Sequence, residues 1–330
     1  MNRHTKTMIA ATGILAAGVT TASYVLTNEL VRIAIHRDGL KHLKNIGNTK
    51  NHIRGFADKE DFLNTLMEKG AILEEKKTTK IQIKAEDGEH LVAHWYPCSH
   101  PKRIIIAMHG WRSTWSRDFG IIADFWHENG CHILFVEQRG QNNSGGDYMC
   151  FGLKERFDCR DWAYWVDRHT NPELPIYLAG ASMGATTVLM TAELKLPDRV
   201  HGIMADCGFT TPHAIWEHVL KKNMHLSYRL RRHTVERICK RCIQMKPGDY
   251  STVDALQNTQ LPVLFIHGAE DHFVPVEMTY ENYKACNAPK HLLIVPGADH
   301  GMSYYVDKNG YEGISKWFWE KYDKEGVSCP

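Results

Sequence analysis

Charge of one sign is what this sequence lacks most plainly. Forty Lys and Arg stand against 38 Asp and Glu, a net charge of +2 at pH 7. A nucleic-acid binder needs a concentrated basic face, so that class has no electrostatic footing here. Repeats and low-complexity tracts are also missing, and the 25 glycines and 12 prolines are spread along the chain. Solenoid, collagen-like and disordered classes drop out on that ground. Cysteines do not pair off: there are nine, an odd number, in 330 residues. A chain this long builds a core without disulfide staples. Cys239 and Cys242 have CxxC spacing, but no second pair accompanies them as a structural zinc site would require. One helical turn accounts for the spacing. No metal and no organic cofactor is expected.

Long apolar runs are absent with one exception. Arg3 and Lys6 precede an uncharged run from Thr7 to Asn28, rich in Ala, Gly, Val, Ile and Leu. About 20 apolar residues suffice to span a bilayer as a helix. No clean A-x-A cleavage pattern lies near Ala22. Residues 1–30 therefore read as an uncleaved N-terminal anchor or signal segment, with the membrane as a partner through that helix. The flanking charges Arg32, Arg37, Lys41 and Lys44 and the abundance of thiols favour a cytoplasmic domain. A short basic tail before an apolar run is instead the layout of an export signal, which puts the globular domain on the extracytoplasmic side.

Residues 31–77 are polar and helix-friendly, with Asn48 and Asn51 as breaks, and read as a helical pre-domain. From residue 78 the pattern changes. Residues 79–84 alternate apolar and polar, Glu86-Asp87-Gly88 makes a turn, and residues 90–96 complete a hairpin. Residues 103–108, 132–136, 174–179, 202–205, 263–266 and 292–295 are nearly continuous apolar runs, as strands buried on both faces are. Helical patterns separate them, near residues 120–129, 155–168, 183–194, 276–286 and 310–322. Strands alternating with helices predict an α/β fold with a mostly parallel eight-stranded sheet covered on both faces. Residues 210–249 break the alternation: they are helical and basic, and fall between two sheet strands. Such an insertion lies over the carboxyl ends of the strands, where ligands bind, and reads as a cap.

The chemistry is carried by three loops in order. Gly180-Ala181-Ser182-Met183-Gly184 follows a strand and opens a helix. A serine hydroxyl is a weak nucleophile, and a sharp strand-to-helix turn projects it above the sheet toward a base. The base is expected on the loop after the last strand, where Asp299-His300-Gly301 stands. A third group must fix the imidazole tautomer, and Asp271, in the loop after residues 263–266, is the candidate. Glu270 beside it and Asp206 at the previous strand end are its rivals. An acyl intermediate also needs two backbone N–H groups for its oxyanion. Met183 supplies one as the residue after the serine. Trp111, in the loop His109-Gly110-Trp111, supplies the other.

On these motifs residues 78–322 resemble the α/β-hydrolase superfamily, and within it the bacterial serine esterase and serine aminopeptidase-like branch, often tethered by an N-terminal helix. The resemblance implies an α/β-hydrolase fold and a Ser182–Asp271–His300 triad with Trp111 and Met183 as oxyanion donors. It further implies cleavage of a small-molecule carboxylic ester through an acyl-enzyme. Amides, and thioesters at a membrane surface, are alternatives open to the same machinery. A non-catalytic binding protein on the same scaffold is a further alternative. One departure stands out. Where the family has Asp-x-Arg-Gly-x-Gly-x-Ser, this chain has Glu137-Gln138-Arg139-Gly140-Gln141-Asn142-Asn143-Ser144.

Overall fold

A computed structural model describes residues 21–41 and 60–324 of the chain. The expected anchor lies outside the described residues up to residue 20, as do Asn48, Asn51 and Cys329. Among the described residues no helix is long and apolar enough to cross a membrane.

Eight strands form one sheet: β1 Thr79–Lys84, β2 His90–Tyr96, β3 Arg103–Met108, β4 Cys131–Glu137, β5 Ile176–Ala181, β6 Val200–Asp206, β7 Val263–Gly268 and β8 Lys290–Val295. Their order is β1-β2-β4-β3-β5-β6-β7-β8. β1–β2 and β2–β4 pair antiparallel, and every other neighbouring pair is parallel. The hairpin falls at residues 79–84 and 90–96, as its alternation predicts. β3 is buried along its whole length. Its side chains alternate between two cores. Ile104 and Ile106 face the side covered by α5 (Glu155–His169) and α6 (Met183–Thr191), with Trp162 and Val188. Ile105 and Ala107 face α4 (Ala123–Glu128) and α12 (Lys308–Tyr322), with Trp126 and Phe318.

Two boundaries differ from expectation for local reasons. The strand expected at Leu174 begins at Ile176. Pro175 between them has no N–H to donate to the ladder. The helix expected from Gly120 begins at Ala123, preceded by a separate turn of helix, α3 (Trp115–Phe119). Thr114 caps α3 by accepting from the Arg117 N–H. Gly120 lies against the backbone of α2 (Glu60–Glu74), where a Cβ would come 2.6 Å from the Gly70 nitrogen.

The insertion between β6 and β7 is helical. It comprises α7 (Pro212–His218), a π-helical turn Val219–Asn223 and α8 (Arg232–Cys242). Ile215, Leu220, Val235 and Ile238 pack with Phe151, Met183 and Phe209 of the sheet domain. Burial pushes the Cys239 thiol up to about 12, so it serves here as an apolar group. The first described helix, α1, spans residues 21–35 and runs across the boundary expected at residue 30. Its Val31 and Ile35 join the same core as the cap. The remaining helices are α9 (Thr252–Asn258), α10 (Val276–Ala285) and α11 (Ser303–Val306).

Candidate active site

The loops after β3, β5, β7 and β8 meet above the carboxyl edge of the sheet. Ser182 joins β5 to α6 with φ 54° and ψ −116°, a region β-substituted residues seldom enter. The turn is so tight that neighbouring side chains have no room. A Cβ on Gly184 would lie 1.8 Å from the Met108 carbonyl oxygen, and one on Gly180 2.3 Å from the Gly184 carbonyl carbon. The Ser182 N–H donates to the Asp206 carbonyl at 2.8 Å and fastens the turn to β6.

Ser182 Oγ lies 2.9 Å from His300 Nε2, and His300 Nδ1 lies 2.7 Å from Asp271 Oδ2. Asp271 is acceptor-only when ionised, so Nδ1 carries the proton. Nε2 is thereby left to accept from the serine hydroxyl. The other Asp271 oxygen accepts the N–H groups of Phe273 and Val274, at 2.9 and 2.7 Å. Buried His267 approaches Oδ2 at 3.2 Å while also facing the Val274 carbonyl at 2.9 Å. Burial works against the Asp271 charge. His300 and these donors outweigh it and hold the carboxyl well below the usual range. Burial likewise opposes a charged His300, but the Asp271 carboxylate raises its pKa well above the ordinary histidine value.

The two rivals for the acid position are placed elsewhere. Glu270 is exposed. Asp206 accepts from the Ser303 hydroxyl at 3.0 Å, and burial raises it to about 6. Gly110 sits beside the serine: a Cβ there would be 3.4 Å from Ser182 Cβ. This brings the His109–Trp111 loop next to Ser182. Met183 is the first residue of α6, so its N–H has no intrahelical acceptor and is available to a ligand. The Trp111 ring lies 6.3 Å from that of Phe151, and its indole N–H donates to the Ala34 carbonyl at 2.8 Å.

Three supporting residues were not singled out by sequence. Asp299 Oδ1 accepts the N–H groups of His272 and His300, at 2.9 and 2.6 Å, and ties the acid loop to the histidine loop. Asp118 accepts the Gly110 N–H at 2.7 Å and the Ser113 hydroxyl. Gln138, in the departing turn, donates to the His109 carbonyl and accepts from Thr187 at 3.0 Å. The only cue for Asp118 is an acid in the first turn after the His-Gly loop. The other two depend on contacts across the fold.

Among the described residues, Cys207, Asp271 and His300 form the one group with donor atoms close enough to hold a metal, within 4.8 Å of one another. Burial pushes the Cys207 thiol up to about 11, so it is protonated at neutral pH. Metal binding needs the thiolate. Both imidazole nitrogens of His300 already face Ser182 Oγ and Asp271 Oδ2. The group therefore fits a proton relay better than a metal centre. A surface cavity of about 690 Å³, lined by Ile83, Arg160, Tyr164 and Trp165 among others, includes none of these residues.

A family model described as serine aminopeptidase, S33, matches residues 99–246. The uncharacterized protein YqkD of Bacillus subtilis is 28% identical over 186 residues, 55% of this chain, and the match spans 60% of that relative's length. YfhR of Escherichia coli K12 is 21% identical over 70% of this chain and 75% of its own. In structure, the Pyrococcus furiosus esterase Pf2001 aligns with TM-score 0.62 at 19% identity, covering 82% of this chain and 96% of that one. The Pyrococcus horikoshii acylaminoacyl peptidase aligns with TM-score 0.57 at 16% identity, over 79% of this chain and 44% of its own. Likeness at these identities speaks to the fold.

Proposed function

We propose that this chain, which has the α/β-hydrolase fold, is a serine hydrolase acting on carboxylic esters of small molecules. The observation that carries the reading is the line Ser182 Oγ–His300 Nε2, 2.9 Å, and His300 Nδ1–Asp271 Oδ2, 2.7 Å, on the strained strand-to-helix turn. Ser182 attacks the carbonyl carbon and its proton passes to His300 Nε2. The carbonyl oxygen gains the negative charge and accepts from the Met183 and Trp111 N–H groups. The intermediate collapses, the C–O bond breaks, and His300 gives its proton to the departing alkoxide. Water, deprotonated by His300, then attacks the acyl-enzyme; the acyl carbon–Oγ bond breaks, His300 returns the proton to Ser182 Oγ, and the acid leaves. A peptidase description and a peptidase neighbour keep amides as the second reading. Trp216 and Leu220 of the cap pack with Phe151 and with Met183, the residue after Ser182, and this apolar cluster favours an apolar acyl group. The anchor and the extracytoplasmic placement stay part of this proposal on the strength of the N-terminal sequence alone.

Turnover of p-nitrophenyl esters against the matching p-nitroanilides tests the reaction class. The ester is expected to be favoured by at least about 100-fold, since the better leaving group needs less help from the general acid. Faster anilide turnover would move the assignment to an amidase or peptidase.

The pH profile follows from His300. Its neutral form is the base, and its pKa is raised, so activity is present above that pKa and lost as pH falls through it. The acid limb of kcat/KM is expected above about 6.5, the ordinary histidine value. A limb below that value in an ester-hydrolysis pH series would contradict the Asp271–His300 pairing.

A further inference from the structure

We infer that helix α1 and the turn after it belong to the active-site machinery, with Arg112 and the Trp111 indole as positioning residues that fasten the oxyanion loop to them. The inference rests on the reading of the Trp111 N–H as an oxyanion donor.

The last carbonyls of a helix have no intrahelical donors and need partners from elsewhere. At the end of α1 these partners come from two adjacent side chains of the loop after β3. Arg112 Nη2 donates to the Ile33 and His36 carbonyls at 2.5 and 2.7 Å, and Nη1 to the Arg37 carbonyl at 3.1 Å. Trp111 Nε1 takes the Ala34 carbonyl at 2.8 Å. A cation at this end also complements the helix dipole. Arg112 has φ 51°, a conformation that favours glycine, so the clamp holds the backbone beside the Trp111 N–H in a shape it would not keep by itself. Gly39 passes under the guanidinium, where a Cβ would be 2.9 Å from Arg112 Nη2 and 2.4 Å from the Arg32 carbonyl oxygen.

A second strap reaches the departing turn. Arg37 donates to the carbonyls of Asn142 and Gly146, both at 2.9 Å, and of Ser144 at 3.3 Å. Asn142 Nδ2 in turn donates to the Ser113 carbonyl at 3.0 Å. Asn142, which stands where the family has its second glycine, thus links the turn after α1 to the loop that carries Trp111. Moving α1 moves a donor of the oxyanion hole.

The test compares Arg112→Gly, Arg112→Lys and Trp111→Phe in the full chain. Glycine accepts φ 51° without strain but frees the backbone, so Arg112→Lys, which keeps a cation on a substituted backbone, separates the side chain's part from that added freedom. Each variant is titrated to its fluorophosphonate endpoint, and kcat is expressed per labelled serine, which removes any misfolded fraction. Arg112→Gly is expected to lose about 100-fold in kcat with KM little changed, the scale of a misplaced oxyanion donor. Trp111→Phe should lose less, and Arg112→Lys should recover part of the loss. Wild-type kcat per labelled serine in both Arg112→Gly and Trp111→Phe would overturn the inference. A failure of the site reading itself looks different: the wild type would be unlabelled and no more active than Ser182→Ala.

Discussion

Ser182→Ala is expected to lower ester turnover about 100,000-fold and to abolish fluorophosphonate labelling. The size comes from removing the nucleophile, which no neighbour can replace. The Cys207 thiol is the nearest candidate, but burial pushes it up to about 11 and leaves it without the thiolate needed to attack. What remains is catalysis by the oxyanion donors and binding alone. The fold should be untouched. The Ser182 side chain bonds to His300, whereas the turn is held by the backbone bond to Asp206 and by Gly180 and Gly184. Replacing the hydroxyl by hydrogen leaves Cβ where it was and adds no clash at the already strained φ. The check is turnover and labelling beside a thermal melt. Retention of more than about a thousandth of wild-type turnover would mean that another group is the nucleophile.

Asp271→Asn should lower kcat about 10,000-fold while changing the structure little. The asparagine carbonyl can still accept from Phe273 and Val274, which now hold Oδ1 at 2.9 and 2.7 Å. Its amide then faces His300 Nδ1 with a donor where the carboxylate was an acceptor. The imidazole must turn its lone pair to Nδ1 and put its proton on Nε2, facing the serine. In that tautomer it cannot take the serine proton. The variant also removes the charge that raises the His300 pKa, so the acid limb should move down in the residual activity. Single-turnover kinetics across pH would show both effects. A loss below about tenfold would return Asp206 or Glu270 to consideration as the acid.

The strands were legible because their burial forces a pattern. β3 must be apolar on both faces to sit between α5 and α4, and Ile104-Ile105-Ile106 can hardly be read otherwise. The hairpin was legible because its first strand is half-exposed, so polar and apolar residues alternate. The helix α3 was not: five residues capped by Thr114 carry too little periodicity to stand out from a loop. In the site, Ser182 was legible because the turn leaves room only for glycine at 180 and 184. The choice of Asp271 over Asp206 was not fixed by order along the chain. Asp206 ends β6 and Asp271 lies in the loop just after β7, and both come between the serine and the histidine along the chain. The geometry separates them by partner, since Asp206 accepts from Ser303 and Asp271 meets His300.

By itself the sequence determined the layered α/β architecture, the cap between β6 and β7, and the loops that carry the serine, acid and histidine. These follow from periodicity and steric exclusion, which act between residues close in the chain. Only the tertiary structure decided which carboxylate faces His300, that Asp299 joins two loops, and that Arg112 clamps the end of α1. Those contacts join residues 27, 29 and 75–79 positions apart. Hydrogen bonds over such separations depend on angles and distances set by the packed sheet, and no local pattern records them.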